Sequence, residues 1–301
     1  MAGFIHEFFG YPAENTSCVG KLAVAQRSCP FLKSACVKRF HDGKPAGVCA
    51  VRQKSQSSPP VICCPNRLYA NNYKILYDIA EDAFDRKLNL YAGRSAVEKA
   101  KAEKGAVAVF GQGWGGELRL PKRKGTGSYF VDWVIARLGA SGELCEFTAV
   151  EVQTIDTTGS YKSAYEALLE NRGIVSDTVG LNWENVSKRI IPQLIYKGQV
   201  LQREDLCRKG LYFVCPSPVY NRVLLRLGGI DNLPDFPPQP ASIHFLAYDY
   251  VLDKGCIEMP LPLAILERHS TTVYKIQEAF SSLELPSGNV YRDAIMKSLY
   301  E

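Results

Sequence analysis

The stretch EFTAVEVQTIDTTGSYK (146–162) decides how this chain is read. Its first half is apolar and β-rich, yet Glu151 sits between two valines. Strands avoid a lone carboxylate in such a run, because burying an unpaired charge is costly unless a cation shares it. With the two-residue alternation of a strand, Glu151 and Gln153 share one face. Working outward, two further acids lie in similar surroundings upstream: Glu117 in GGEL and Asp132 in FVDW. On three consecutive strands, these carboxylates would form a hard-cation site suited to magnesium. The plainer reading is that each strand shows one polar face to water and the acids sit on it. An acid and an amide two residues apart, following an aspartate across a hairpin, is also the layout of nuclease active sites whose third member is often lysine. A glutamine can orient water but cannot take its proton. Activation of the water would then fall to a metal or to the neighbouring phosphate.

Around this stretch, strands and helices alternate. AVAVF (106–110), ELRLP (117–121), YFVDWVIARL (129–138), LYFVCP (211–216) and SIHFLAYDYVL (242–252) predict strands bounded by turn residues. RLYANNYKILYDIAEDAFDRKL (67–88) has apolar residues at helical spacing, and Ser95 heads a second helix as its capping residue. YKSAYEALLENRG (161–173) predicts a helix stopped by Gly173, and NVSKRIIPQLIYKGQVLQ (185–202) is a long polar-apolar stretch. PLAILERHSTTVYKIQEAFSSL (262–283) and NVYRDAIMKSLY (289–300) read as helices. The class is therefore α/β or α+β, with one mixed sheet flanked by helices. RQKSQSSPP (52–60) reads as a loop tip. DNLPDFPPQP (231–240) holds four prolines in ten residues and must be extended, setting off a C-terminal extension from about residue 240.

The chain has 301 residues, 46% hydrophobic and 22% charged, which excludes a disordered or fibrous protein. Its net charge of +5 is unevenly placed. Residues 1–70 hold nine Lys/Arg and three Asp/Glu (9 − 3 = +6), and the rest hold 27 and 28 (27 − 28 = −1). Six of the ten cysteines lie between Cys18 and Cys64. The sequence has no run of eighteen apolar residues, and its start carries early glutamates and no cationic region, so a cytoplasmic protein is expected. Clustered cysteines in a reducing compartment more often bind metal than form disulfides. Cys145, Cys207, Cys215 and Cys256, scattered on apolar stretches, read as small buried hydrophobes. His6, His41, His244 and His269 show no metal or triad spacing and read as structural or surface residues.

Eight short blocks then occur in order: FIHEFFGYP, CPFLKSACVK, GVCAV, CCPNR, GGELRL, FVDW, EVQTIDTTGSYK and NVSKRIIPQLIYK. Together, over roughly residues 4–197, they resemble the NotI-type type II restriction endonucleases, bacterial enzymes that cut DNA. The resemblance implies a PD-(D/E)xK nuclease core at residues 71–301, preceded by a basic metal-binding region at 1–70. It makes Glu117, Asp132, Glu151 and Gln153 the catalytic set, with Asp132 and Glu151 as magnesium ligands and Glu117 assisting a second metal or its water. The motif's usual lysine is replaced by Gln153, which leaves the general base unassigned, and Lys162 becomes a phosphate contact.

Cys29, Cys36, Cys49 and Cys64 fall inside the shared blocks, at spacings of seven, thirteen and fifteen residues. Four thiolates suit a tetrahedral zinc or a single iron. General chemistry favours zinc, and the resemblance implies iron in a structural role. Cys64 is preferred to Cys63 by its fit to the CCPNR block. A four-thiolate site holding a divalent ion carries −2, so the +6 of this region becomes about +4. Lys33, Lys38, Arg39, Lys44 and Arg52 remain available for phosphates.

Guanine recognition favours Arg or Lys in the major groove. The candidates are Arg119, Lys122, Arg123 and Lys124 beside the acids, and Lys188, Arg189 and Lys197 in the NVSKR block, with phosphate contact at least as open to each. The resemblance further implies a GC-rich palindrome with a GGCC centre, a homodimer with one subunit per strand, and functional pairing with a cognate DNA methyltransferase that need not bind the enzyme. The helical reading of 262–280 gives it a place in either the interface or the core. Two rival readings stand beside this one: a non-catalytic metal-containing DNA-binding regulator, and a repair or modification-dependent nuclease on the same core.

Overall fold

The computed structural model describes residues 2–118, 130–251, 259–282 and 288–300. Four strands near the N-terminus, β1 (Gly3–Phe8), β2 (Tyr11–Pro12), β3 (Val48–Gln53) and β4 (Val61–Ile62), form an antiparallel sheet in the order β2-β1-β3-β4. The body is a mixed sheet of seven further strands: β5 (Leu90–Ala92), β6 (Ala106–Gly111), β7 (Trp133–Leu138), β8 (Leu144–Val152), β9 (Leu211–Pro216), β10 (Ser242–Tyr250) and β11 (Leu263–Thr272). Their spatial order is their chain order. Strands β8, β9 and β10 run parallel, and β6 to β8 form an antiparallel meander.

Residue alternation sends each strand's side chains to opposite faces. Val150, Val152, Tyr212 and Val214 pack with Trp133 beneath helix α2 (Ala70–Phe84). Ala149, Phe213, Cys215 and Phe245 face the other way, towards α5 (Ile191–Leu201), α6 (Ser217–Arg226) and α7 (Val273–Ser281). The same apolar cluster takes in Ile5, Phe8, Val48 and Val51 of the N-terminal sheet. Glu151 therefore belongs to the α5 face. Helices α1 (Cys18–Gln26) and α4 (Lys162–Glu170) add Ala23, Val24, Ala164, Tyr165 and Leu168 to the same apolar cluster, and α3 (Ser95–Glu103) packs Ala96 and Ala100 with Ala106 and Ala108 of β6.

Several elements differ from expectation. PLAILERHSTT (262–272) is not helical: residues 263–272 form the edge strand β11, antiparallel to β10. An edge strand has one unpaired side and an exposed face, so its polar Glu267–Arg268 step imitates a helix surface. The helix begins only at Val273, capped by Thr272, whose hydroxyl accepts from the amide of Lys275. The segment after the proline-rich 231–240 thus re-enters the central sheet. The helix expected over 67–88 is interrupted, with a 3-10 turn at Pro65–Tyr69 and a left-handed run at Asn71, Asn72 and Tyr73 before the regular turns. Ser95 is not a cap; its hydroxyl donates to the carbonyl of Ala92. Helix α4 ends at Glu170, ahead of Gly173. The NVSKR block forms a π-helical turn, Val186–Ile190, that leads into α5. Helix α8 (Val290–Tyr300) has no buried residue.

Candidate active site

Strand β7 begins at Trp133, opposite Val150, so one further step along the ladder brings Asp132 opposite Glu151. Opposed residues of an antiparallel pair project from the same face. Asp132 lies just ahead of the strand, and its Oδ2 accepts the backbone N–H of Val152 at 2.7 Å. Glu151 is buried, whereas Asp132 reaches solvent through a cleft of about 810 Å³. Protein atoms crowd Asp132 from the sheet side, and that desolvation raises its carboxyl above the usual range. Burial pushes the Glu151 carboxyl up to about 7, and the neighbouring Asp132 adds to the rise, against the pull of Lys197.

Lys197 reaches down from α5, and its Nζ meets Glu151 Oε1 at 2.5 Å. Glu151 Oε2 is fully buried without a hydrogen-bond partner. Two opposed carboxylates and one orphaned oxygen form a site that an added cation would neutralise, and oxygen donors suit magnesium. Glu117 lines the same cleft as Asp132 but sits exposed on the loop after β6, so the expected three-strand alignment is replaced by one strand residue, Glu151, one residue just ahead of a strand, Asp132, and a loop. Gln153 lies just beyond the end of β8. Its side-chain amide donates to the carbonyl of Thr154 at 2.8 Å, and the residue lines a second cavity with Lys38 and Cys64. The structure therefore pairs Asp132 with Glu151, sets Glu117 on the same cleft wall as Asp132 without a three-acid cluster among the described residues, and puts Gln153 at another cavity.

Lys197 was expected only as a base or phosphate contact, and its place beside Glu151 was missed. One faint signal lay in the sequence. In IIPQLIYKGQVL (190–201), Ile191, Leu194, Gly198 and Leu201 form the buried stripe, and Lys197 interrupts its border. A lysine against an apolar stripe needs either a route to water or a buried partner. Among the other cationic candidates, Lys162 is exposed at the start of α4, Lys188 pairs with Glu184 one turn away, and Arg189 pairs with Asp156 at 2.9 Å. Arg119, Lys122, Arg123 and Lys124 lie outside the described residues. Lys38 and Arg52 turn inward: Lys38 Nζ donates to the carbonyl of Cys63 at 3.2 Å, and Arg52 Nε donates to His6 Nδ1 at 3.2 Å. Among the histidines, His6, His244 and His269 are buried and hydrogen-bonded, while His41 is exposed.

The cysteines form a second ionisable cluster. Cys29, Cys49 and Cys64 pack together around Phe31, all buried, and Cys36 is buried close enough to influence Cys29 electrostatically. The Cys64 thiol is lowered to about 6, chiefly by a hydrogen bond from Cys49; Lys38 and the amides of Asn66 and Arg67 assist, against burial. Cys63 points away, into the other apolar cluster and towards Lys38. The donor chemistry suits a soft metal. However, among the described residues no three His, Cys, Asp or Glu side chains are gathered closely enough to hold an ion. Cys256 lies outside the described residues.

A mixed α/β sheet that sets opposed carboxylates beside a cleft is an arrangement able to hold a hard cation and a charged substrate. The family whose description reads "Restriction endonuclease NotI" matches residues 15–249, and the chain belongs to that family. It is a type II restriction endonuclease, a phosphodiester hydrolase acting on double-stranded DNA. The match starts after the FIHEFFGYP block and extends beyond residue 197, into strand β10. None of the curated proteins matches the chain. Restriction endonucleases generally use magnesium. Among the described residues, no helix is long and apolar enough to cross a membrane.

Proposed function

We propose that this enzyme is a cytoplasmic PD-(D/E)xK nuclease that cuts a GC-rich palindrome by magnesium-dependent hydrolysis, with Asp132 and Glu151 as the shared metal ligands. The observation that carries this reading is the Asp132–Glu151 pair. Two carboxylates face each other across a strand pair, one is pushed up to about 7, and one oxygen has no partner. Magnesium, when bound, polarises the phosphoryl oxygen and supplies charge for the attacking water. The chain's own residues do the rest. Asp132, held by the Val152 amide, fixes one side of the site, and Glu151 supplies an oxygen that has no other partner. Glu117, on the cleft wall, orients a second ion or a water. In this reading Gln153 is a catalytic-set member by position in the family pattern, and its amide contact with Thr154 must break for it to reach the substrate.

The proposed target has a GGCC centre, and CGGCCG is the candidate sequence, because the compact chain resembles EagI within this family. A palindrome is matched by a homodimer, one subunit per strand, with a methyltransferase protecting the host site. Lys162, Lys188 and Arg189, together with Arg119, Lys122, Arg123 and Lys124, are the proposed DNA contacts. Residues 71–301 form the catalytic part. Residues 1–70 form the basic metal-binding part, with iron, or zinc as the alternative, on Cys29, Cys36, Cys49 and Cys64. Elemental analysis of protein made without added metal tests that site; neither metal at one per chain would remove it. For the nuclease, a sequenced phage DNA is digested with magnesium. Discrete fragments that vanish on CG-methylated DNA support the reading, whereas a smear or intact DNA overturns it. Asp132→Asn is expected to abolish cutting with DNA binding retained.

A further inference from the structure

We infer that Lys197 supplies the positive charge that the sequence motif lacks at position 153, and that it contacts the phosphate being cut. The inference rests on the reading of Asp132 and Glu151 as the hydrolytic site. Its first support is placement. Lys197 and Asp132 line the same cleft, whereas Gln153 lines another cavity and has its amide engaged with Thr154. The cation has in effect moved from the end of β8 to a helix that packs over the same face.

The second support is how α5 is brought close enough. A Cβ at Gly198 would lie 2.9 Å from Ile243 Cδ1 and 3.0 Å from Val273 Cγ2, so glycine lets α5 seat at this depth against β10 and α7 without displacing either side chain. That seating carries the neighbouring Lys197 to Glu151. The third support is how the carboxylate is divided. Lys197 takes Oε1 at 2.5 Å and leaves Oε2 unpartnered. A lysine present only to neutralise Glu151 leaves that orphan unexplained. A lysine that orients the carboxylate, with Oε2 offered to a metal, explains both.

In the hydrolysis, the water oxygen bonds to phosphorus and the bond to one sugar oxygen breaks. The water's proton leaves to solvent and the departing oxygen takes one up. Negative charge grows on the phosphoryl oxygens at the midpoint, and a fixed ammonium there stabilises it more than it stabilises the starting diester. Lys197 therefore acts on the rate rather than on DNA affinity.

The test compares wild type, Lys197→Met, Lys197→Gln, Lys197→Arg and Asp132→Asn. Cleavage of a plasmid carrying the target is measured at saturating DNA. DNA binding is measured with calcium in place of magnesium, and magnesium binding to the DNA-free protein by calorimetry. The Met and Gln variants are expected to cut about 100- to 1,000-fold more slowly, with DNA affinity unchanged. Their magnesium affinity is expected to rise, because a positive neighbour of Glu151 is gone. Lys197→Arg recovers part of the rate. The inference is overturned if the folded Met or Gln variant cuts within about threefold of wild type, or if the rate falls together with magnesium affinity, as it would for a merely structural lysine. If Asp132→Asn still cuts, the carboxylate reading itself fails; if Asp132→Asn is silent while Lys197→Met cuts normally, only the lysine's role fails.

Discussion

The carboxylate site and the cysteine cluster are both groups of buried or crowded ionisable side chains, and they differ in what surrounds them. Asp132 and Glu151 repel each other; Asp132 opens onto a cleft, whereas Glu151 is buried beside it with one oxygen lacking a partner. The thiols of Cys29, Cys49 and Cys64 are closed in around Phe31, and the Cys49 thiol donates to the carbonyl of Gly47. An open pair with an unsatisfied oxygen suits an ion that comes and goes with substrate. A closed group whose members pack on one another suits a structural role. The same element type, a few acidic protons held in a fold, thus serves turnover in one place and shape in the other.

The largest expected effect joins the two regions. Arg67, three residues after Cys64, lies buried between Glu7 of the N-terminal sheet, at 2.7 Å, and the ring of Tyr250 in the central sheet. Arg67→Met leaves Glu7 as an uncompensated buried charge and is expected to cost about 3–5 kcal/mol in denaturant unfolding. If the loss is under about 1 kcal/mol, the two sheets are not held together by this pair. Next, Cys64→Ser is expected to lower stability by about 2–3 kcal/mol while the cutting rate per folded molecule stays unchanged. A rate lost in the fully folded variant would erase the contrast between the two clusters. A pH effect of similar size follows for metal-free protein. Folded Glu151 holds its proton up to about 7, while the unfolded group releases it near 4.5. Between those values the folded state binds more protons, so stability falls as pH rises, by roughly 3 kcal/mol. Magnesium should flatten the slope, and a flat metal-free profile would refute the crowded-carboxylate picture. The smallest effect is at the pair itself. Asp132→Asn keeps an acceptor for the Val152 amide and removes a like charge, so metal-free stability should rise by about 0.5–1 kcal/mol; a fall would show that the two acids do not repel.

The sequence made part of this legible. Glu151 between valines marked a strand with a charge to explain, and the two-residue period placed it on one face. Asp132 and Glu151 were readable as a pair because adjacent antiparallel strands keep local register. Lys197 was not readable in its role, because its partner lies 46 residues earlier and no spacing rule links a helix residue to a strand across a crossover. Glu117 was taken for a strand residue on the strength of apolar neighbours, yet glycines at 115 and 116 with positive φ place it on a loop. Strand β11 was misread because an edge strand's polar outer face carries the same residue types as a helix surface.

The buried contact between Glu7 and Tyr250 has a consequence for synthesis. The Tyr250 hydroxyl donates to the Glu7 carboxylate across 243 residues of chain. At about 5–20 residues per second, Glu7 leaves the peptidyl-transfer centre roughly 12 to 50 s before Tyr250 is even made. Through that interval the strand that will carry Tyr250 does not exist, so the pocket around Glu7 and Arg67 stays open. A partly made chain therefore lacks the closing piece of its core, and this part of the nuclease is assembled only after Tyr250 has been made.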